Sequence, residues 1–415
     1  MDDQPRNLKS MLSEAKDTSE LMVDLGYASL FFDDEDMADE VLELEERLNE
    51  LVHEMRSVCV LAARSPRDAD AMSGVLHLIS AIERMGNSAV DIAKIVTHHL
   101  GIPAALVADL AAAQEISHRV RVREDSALAH RTLDDAELPT ETGLRVVAIR
   151  RAKEWLIDPD DHEMLRPGDV LIVRGAADGI PELRVLAGAP EWREATLSED
   201  PALSDLDRAV DVLVEMKDVS EAAVGLAYSA LLFNDQGLAA EVSSLENRLD
   251  EMRERLELWV LRGAAETVDP SALRGLLHLG GAAEEIGDAA QQMVWLVEEG
   301  EELHPVLNAA LGDTDDVIMR VPVAAGSELD GEVMASAGLG DDTGFHLLAL
   351  HRNGRYFYRP RLGMKLEAGD ELVASGPWEG REDLAKQAGF RLISDDETGE
   401  IELVRVGATP PEAPR

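Results

Sequence analysis

The sequence has very little cysteine, since Cys59 is the one thiol in 415 residues. A single cysteine excludes an intramolecular disulfide and a metal site built from several cysteines, so we expect Cys59 to fill a helix core. Long apolar runs are also missing, because the longest fall far short of the ~20 residues that cross a bilayer. No apolar leader segment is visible at the N-terminus. These absences predict a soluble, cytoplasmic chain.

Short motifs that carry common chemistries are absent as well. No Gly-x-Gly-x-x-Gly opens a strand-to-helix turn, no Gly-Lys-Ser/Thr loop is present to cradle a phosphate, and no nucleophile elbow stands out. The first absence excludes a dinucleotide-binding domain of the Rossmann type. Because no catalytic constellation emerges, we expect a protein that is not an enzyme.

Basic residues are scarce, with 39 Lys and Arg against 83 Asp and Glu and a formal net charge of -44. Binding of nucleic acid needs clustered cations, so nucleic acid is not an expected partner. Hydrophobic residues still make up 45% of the chain, which argues for a folded protein rather than disorder. Molar salt screens charges over a few ångströms and makes such self-repulsion tolerable. The charge therefore predicts the cytoplasm of a halophile.

The most informative feature that is present is an internal repeat with a shift of 201 residues. Gly74-Val-Leu-His-Leu78 falls on Gly275-Leu-Leu-His-Leu279, and Thr142-Gly143 falls on Thr343-Gly344. The two halves are called copy one and copy two below. Each copy is too long for a solenoid module, so we expect domain-sized copies that pair about a pseudo-twofold axis. Any site formed between them is then asymmetric.

The first ~110 residues of each copy have the 3.6-residue apolar period of helices and predict three long helices. In the second helix of each copy, apolar residues alternate spacings of four and three, which is typical of a bundle seam. The seam residues are Met37, Val41, Leu44, Leu48, Leu51, Met55 and Val58 in copy one, and Leu238, Val242, Leu245, Leu249, Met252, Leu256 and Trp259 in copy two. Asp33-Asp34 and Asn234-Asp235 are predicted to end the preceding helix.

The second part of each copy changes to short apolar runs that predict strands. These runs are 120–122, 145–150 and 169–174 in copy one, and 321–323, 346–351 and 370–375 in copy two. Pro167-Gly-Asp169 and Ala368-Gly-Asp370 predict a tight turn before the last strand. The predicted fold class is multidomain α and α/β, with two three-helix bundles alternating with two small α/β domains. Residues 198–205 are expected to link the copies, and 409–415 to form a frayed tail.

Both parts resemble known families. The helical part resembles the PhoU domain through residues 36–46 with 83–93, and again through 237–250 with 284–290. The α/β part resembles the C-terminal (RCK-C) domain of TrkA-type potassium-transport regulators, through a Thr-Gly pair, a strand ending in Arg, a Pro, and a Gly-Asp turn before a strand that closes on Gly. The resemblance, to duplicated proteins of the haloarchaeal type, implies these domains: PhoU-like at 1–112 and 198–312, RCK-C at 113–197 and 313–400, and a flexible tail at 401–415.

The PhoU resemblance implies a site for a divalent metal, because that family places carboxylates four residues apart on helices, where both project towards one cation. Glu246 with Asp250 and Glu284 with Asp288 fit this pattern in copy two. Copy one has Asn at the second position of both pairs and loses an anionic ligand each time, so metal is expected in copy two if it binds. Solvated surface carboxylates are the alternative, because so acidic a chain produces such pairs by chance.

The RCK-C resemblance implies a small ligand, since that family binds cyclic di-AMP across paired domains. The residues implied are Ile149, Arg150, Arg151 and Pro159 in copy one, and Leu350, His351, Arg352 and Pro360 in copy two. Arg151 and Arg352 are the cation that both copies share, and a guanidinium binds phosphate through two hydrogen bonds. His351 replaces Arg150 and makes the two halves unequal. The alternative is that both arginines only balance the acidic surface.

These features favour a cytosolic regulatory protein that senses a small ligand through its RCK-C pair. It is expected to act on a membrane transporter or channel for potassium or a divalent cation, as a homo-oligomer and without inserting into the membrane. The alternative is a PhoU-type phosphate-signalling adaptor, in which a metal-binding helical bundle contacts a transporter or kinase. Ligand binding by the α/β domains discriminates between the two, because only the first function requires it.

Overall fold

The computed structural model describes residues 7–101, 115–152, 154–157, 159–176, 179–190, 205–264, 273–300, 303–312, 316–353, 355–358, 363–394 and 401–406. The chain forms two compact units. The first comprises residues 1–136 and 145–314, and the second comprises residues 137–144 and 315–415. The predicted tail at 409–415 and most of the predicted linker, 198–204, lie outside the described residues.

The two halves of the described chain repeat the same order of elements. The helices are α1 (Leu8–Phe32), α2 (Glu35–Ala62), α3 (Pro66–Thr97), α4 (Leu133–Ala136), α5 (Leu138–Thr142), α6 (Ile180–Leu186), α7 (Asp205–Phe233), α8 (Gln236–Ala264), α9 (Arg274–Glu298), α10 (Pro305–Leu311), α11 (Leu339–Thr343) and α12 (Arg381–Gln387). The strands are β1 (Glu115–Arg121), β2 (Leu144–Arg151), β3 (Glu154–Ile157), β4 (Val170–Ala176), β5 (Asp316–Pro322), β6 (His346–Arg352), β7 (Arg355–Tyr358), β8 (Glu371–Pro377), β9 (Phe390–Ser394) and β10 (Ile401–Arg405).

The three long helices predicted for each copy are confirmed. The seam on α2 is buried from Met37 to Met55, Val58 is half-buried, and Cys59 lies in the core as expected, with 1% of its surface exposed. The predicted break after α1 is also confirmed, because Asp33 takes a left-handed φ of 48° and the Asp34 carboxylate caps α2 by accepting from the amide of Met37.

The two helical copies pack against each other within the first unit, through α3 and α9. A Cβ added at Gly74 would lie 2.3 Å from a methyl of Leu296, so this glycine allows the close approach of the two helices. A reciprocal contact joins α1 and α7. The Nζ of Lys16 lies 5.1 Å from the centre of the Tyr228 ring, and that of Lys217 lies 5.1 Å from the centre of the Tyr27 ring. These pairs are related by the repeat, as a pseudo-twofold axis requires.

The α/β parts are small sheets with short helices. Copy one has the strand order β1-β4-β2-β3 and copy two the order β5-β8-β6-β7. The strand pairs β1–β4, β2–β3, β5–β8, β6–β7 and β6–β8 are antiparallel, which is typical of strands joined by short turns. The predicted Gly-Asp turns precede the last strand of each sheet, and Gly168 and Gly369 have φ values of 95° and 94° there. Copy two continues into a two-stranded sheet of β9 and β10.

The second compact unit contains a piece of copy one. Helix α5, followed by Gly143, packs with α11 and its following Gly344. The contact is reciprocal, because a Cβ at Gly143 would lie 3.2 Å from the carbonyl oxygen of Gly340, and one at Gly344 would lie 2.6 Å from that of Pro139. Position 340 is the counterpart of position 139 in the repeat. The Thr-Gly pair that repeats in the sequence is therefore a backbone-to-backbone contact between the copies.

Candidate functional site

Arg151, at the end of β2, contacts a buried aspartate. Its Nε and one Nη donate to the two carboxylate oxygens of Asp169 at 3.0 and 2.8 Å, and the other Nη donates to Glu163 at 2.6 Å. The same guanidinium also donates to the carbonyl of Met164. Because Asp169 is only 2% exposed and accepts from the amide of Arg166 as well, the ion pair holds the Gly-Asp turn before β4.

Arg352 makes the equivalent contacts with the turn in copy two, except that Met364 stands at the position of Glu163. Its Nε and one Nη donate to the carboxylate of Asp370, both at 2.6 Å, and an Nη donates to the carbonyl of Lys365. Asp370 is 1% exposed and accepts from the amide of Glu367. The hydrogen bonds from Arg352 to the carboxylate of Asp370 raise the pKa of the Arg352 guanidinium. An anionic ligand at either arginine would have to compete with a buried carboxylate, so the assignment of both arginines to a phosphate stays a prediction.

The apolar members of the predicted ligand site lie inside the sheets. Ile149 and Leu350 are 0% exposed, so neither presents a face to an adenine ring in this conformation. Pro159 is half-buried, and Pro360 lies outside the described residues. The structure thus gathers Arg151 and Asp169 into one cluster but does not bring Ile149 to a surface. The role of these apolar residues in ligand binding also stays a prediction.

Arg150 points away from that cluster and towards the helical domain of copy one. One Nη lies 3.3 Å from the carboxylate of Asp34 and the other 3.1 Å from that of Asp36. Its guanidinium also lies 5.5 Å from the centre of the Trp155 ring. Arg150, which the sequence predicted to contact a ligand, therefore forms ion pairs that join β2 to the start of α2.

Two further arginines of the same sheet contact α1. Arg174 of β4 donates to the carboxylate of Asp24 at 2.8 Å, and the guanidinium of Arg119 of β1 lies 5.0 Å from the centre of the Phe32 ring. Asp24 is 8% exposed, so this ion pair is largely removed from water. The first sheet is thus joined through a row of arginines to the end of α1 and the beginning of α2.

Copy two lacks both partners of the Arg174–Asp24 and Arg150–Asp36 pairs, but it keeps Asp235, Arg320 and Phe233 at the positions of Asp34, Arg119 and Phe32. Ser375 and Gly225 stand where copy one has Arg174 and Asp24, and His351 and Gly237 stand where it has Arg150 and Asp36. His351 instead stacks at 4.5 Å on the ring of Tyr356 and has its Nδ1 3.5 Å from Glu371. Arg150 and Arg174 are therefore specific to copy one, whereas Arg119 has Arg320 as its counterpart. The paired difference between the copies was a signal that the sequence already contained and that sequence reasoning missed.

The carboxylates predicted to bind metal lie near one another on α8 and α9. The pKa of Glu246 is raised by burial and then by the charges of Asp250, Asp288 and Glu284. The pKa of Glu284 is raised chiefly by burial, against an opposing effect of Arg253. All four predicted residues are therefore within electrostatic reach of each other. Three already have partners, in the pairs Glu284–Arg253 at 2.5 Å, Asp288–Arg84 at 2.8 Å and Glu246–Gln291 at 3.1 Å.

As arranged, these carboxylates do not fit a metal. In the part of the chain that the structure describes, no group of three or more His, Cys, Asp or Glu side chains comes together closely enough to hold a metal ion. Arginine side chains from two helices occupy the carboxylate oxygens that a divalent cation would need. The metal expected in copy two stays a prediction, and we derive no chemistry through it. Nor, among the described residues, is any helix long and apolar enough to cross a membrane.

Comparison with known proteins assigns the domains. Residues 12–96 and 213–297 match the PhoU domain, and residues 118–188 and 318–389 match the TrkA-C domain. The chain is therefore a protein of alternating helical bundles and small antiparallel sheets. In family terms, it is a tandem duplication of a PhoU domain followed by a TrkA-C domain.

Two curated relatives are similar over a small part of the chain. "Probable potassium channel protein 2" of Methanocaldococcus jannaschii is 37% identical over 65 residues, which are 16% of this chain and 19% of that protein. "Ktr system potassium uptake protein C" of Bacillus subtilis is 35% identical over 98 residues, or 23% of this chain and 43% of that protein. The chain thus matches less than half the length of either relative.

Among solved structures, PhoU from Pseudomonas aeruginosa aligns over 70% of this chain and 93% of its own. The two are 14% identical and the TM-score is 0.38. The domain assignment therefore rests on the family matches and not on this structural alignment.

Proposed function

We propose that this chain is a non-enzymatic regulatory protein that acts on a membrane potassium transporter or channel from the cytoplasmic side. The observation that carries the proposal is the presence of two TrkA-C domains in one chain, whose helices α5 and α11 contact each other in the second compact unit. Two potassium-transport proteins among the relatives support the choice of ion.

The arginine row supplies a route from the first TrkA-C domain to the helical part. Arg119, Arg150 and Arg174 come from three strands of one sheet, and their partners lie between residues 24 and 36 of the first PhoU domain. A change in the sheet is transmitted to the α1–α2 turn because the ion pairs resist separation. We propose that ligand occupancy is passed to the helical domains in this way, and that the helical domains contact the transporter.

We propose a small ligand such as cyclic di-AMP for the TrkA-C domains. A dinucleotide with twofold symmetry suits a chain that carries two copies of one domain. In the resemblance-based assignment Arg151 and Arg352 take the phosphates, which requires each to exchange part of its contact with Asp169 or Asp370. The double substitution Arg151→Lys plus Arg352→Lys keeps the charge and removes the forked hydrogen bonds. Unchanged affinity for cyclic di-AMP in that variant would refute the assignment of the arginines.

The cellular function is tested by deleting the gene in its own host and measuring uptake of rubidium, as a potassium tracer, beside uptake of phosphate. The proposal predicts altered rubidium uptake, normal phosphate uptake and restoration by the wild-type gene. Altered phosphate uptake with normal rubidium uptake would instead indicate the phosphate-signalling adaptor. The gene with Gly326→Ala, at a glycine that has no neighbour within 4 Å of an added Cβ, serves as a control for expression of a substituted chain.

A further inference from the structure

Arg84 and Glu285 hold the same position in copy one and copy two, and they contact each other. The Nη2 of Arg84 lies 3.3 Å from a carboxylate oxygen of Glu285, between α3 and α9. A position meets its own counterpart only where the pseudo-twofold axis passes. At this point of the helical interface, the repeat therefore carries opposite charges on its two sides.

The neighbours of this pair also differ between the copies. Arg84 also lies 2.8 Å from the carboxylate of Asp288 and donates to the side-chain oxygen of Gln292 at 3.4 Å. The counterpart of Asp288 in copy one is Asn87, which carries no charge. Near the axis, copy two thus presents the carboxylates of Glu285 and Asp288 with the amide of Gln292. Copy one presents Arg84 and Asn87 at the first two of these positions and Asp91 at the third.

Pairing of two copy-two surfaces would leave these charges unmatched. Two copy-two surfaces would bring two Glu285 and two Asp288 side chains together without Arg84. Two copy-one surfaces would oppose Arg84 to a second Arg84, although each Asp91 would then stand at the position from which Gln292 contacts Arg84. Like charges brought together at an interface disfavour the wrong partner, whereas the mixed pair is attractive.

Asp288 is also one of the carboxylates for which a metal was predicted. Together with Asp250 and Glu284, Asp288 raises the pKa of Glu246. Arg253 of copy two supplies one positive charge to this group of acids, through its ion pair with Glu284. Arg84 supplies another from the opposite copy. The acids of copy two are thus neutralised across the interface by an arginine, at the place where the PhoU resemblance implied a metal ion.

We propose that Arg84 is the pairing determinant of the duplicated helical domains. It provides the counter-charge for the acids of copy two, so that copy two pairs with copy one of the same chain and not with another copy two. The fusion of the copies in one chain has allowed each side of the interface to take a different charge. Any association between chains then uses surfaces other than the α3–α9 contact.

The test is a charge swap in the full chain. Arg84→Glu places an acid against Glu285 and Asp288, and should lower the denaturant midpoint more than the control Arg56→Glu. Arg56 forms an ion pair with Glu83 inside copy one, with comparable exposure of 41% for the arginine against 36% for Arg84. Adding Glu285→Arg to Arg84→Glu should recover most of the loss and restore the wild-type molecular mass in light scattering. Failure of that second substitution to recover the midpoint would overturn the proposal.

A second arm separates the arginine from a metal. In Arg84→Gln the acids of copy two lose their counter-charge, so magnesium or manganese should raise the denaturant midpoint of this variant more than that of the wild type. Equal effects on both proteins would contradict the proposal. So would a wild-type protein that retains stoichiometric divalent metal until Asp250→Asn plus Asp288→Asn removes it, because the metal would then be the counter-charge.

Discussion

Gly344 faces the backbone of Pro139, and a Cβ at position 344 would lie 2.6 Å from the Pro139 carbonyl oxygen. The residue also has a φ of 72°, which side chains other than glycine rarely adopt. The contact joins the two TrkA-C segments, so its loss should be felt in the second compact unit. A single methyl group added at position 344 therefore tests whether the contact between the copies stabilises the protein.

We predict that Gly344→Ala destabilises the protein by about 3 kcal/mol, from the left-handed backbone and the overpacking combined. Gly326→Ala is the matched control, because Gly326 has a φ of 78° and open space around it. It should cost only about 1 kcal/mol, from the backbone conformation. Chemical denaturation of both variants measures the difference. Equal losses would mean that the α5–α11 contact contributes nothing.

Asp370→Asn should destabilise the protein by about 2 kcal/mol, because it leaves the Arg352 guanidinium without its buried anionic partner. The nearby Glu367 is 3.7 Å from Arg352, and its side chain is 62% exposed. Glu367→Gln should therefore change the free energy of unfolding by no more than about 0.5 kcal/mol. Comparable effects of the two substitutions would show that Asp370 does not hold the turn.

The arginine row is tested by a double-mutant cycle on Arg174 and Asp24. We expect a coupling energy of about 1 kcal/mol between Arg174→Ala and Asp24→Ala, because the carboxylate is largely buried. Lys94 and Asp91 form an exposed pair at the same distance of 2.8 Å and provide the control cycle. Their coupling should be about 0.3 kcal/mol. A coupling of zero between Arg174 and Asp24 would remove the proposed route from sheet to helices.

His118 predicts a loss of stability in acid. Burial, followed by the charges of Arg184 and Arg119, lowers the pKa of this histidine from 6.5 to about 4, and its Nε2 lies 3.2 Å from an Nη of Arg184. Between pH 6.5 and about pH 4, the unfolded chain therefore binds a proton at His118 that the folded chain does not bind. The contribution of neutral His118 to the free energy of unfolding is fully present above the unfolded pKa of 6.5. It is lost as the pH falls towards 4, by about 1.4 kcal/mol per pH unit.

The repeat supplies the variant for this prediction, because copy two has Met319 at the position of His118. His118→Met should flatten the dependence of the unfolding free energy between about pH 7 and about pH 5. His53, which is exposed, serves as control in His53→Gln. A pH dependence that stays the same in His118→Met would assign the acid sensitivity to other groups.

The sequence predicted the long helices and their ends because those features depend on local spacing and capping. The seam residues of α2 and the Asp33-Asp34 break are examples, since a helix period and an αL residue are visible without tertiary contacts. The Gly-Asp turn was predicted for the same reason. The sequence predicts its aspartate only as a turn residue, because the burial of Asp169 and Asp370 against an arginine depends on tertiary contacts.

Contacts between distant segments could not be predicted in this way. The approach of Gly344 to Pro139 depends on the path of two backbones, and the contact of Arg150 with Asp34 and Asp36 depends on which face of the sheet meets the helices. Arg84 and Glu285 are the exception. Their opposite charges at one position of the repeat were readable from the sequence, but only the structure places that position on the axis.

Calorimetric titration of the full chain with cyclic di-AMP, in high salt, tests whether the TrkA-C domains form a ligand sensor. We predict saturable binding of cyclic di-AMP, no binding of cyclic di-GMP or ATP, and weaker binding of cyclic di-AMP after Gly344→Ala than after Gly326→Ala. The two glycine variants share a positive φ, so the comparison isolates the packing around Gly344, which comprises Pro139 of copy one and the side chain of Pro377. Absence of binding by a folded wild-type chain, or binding that Gly344→Ala leaves unchanged, would contradict a sensor built from the paired TrkA-C domains.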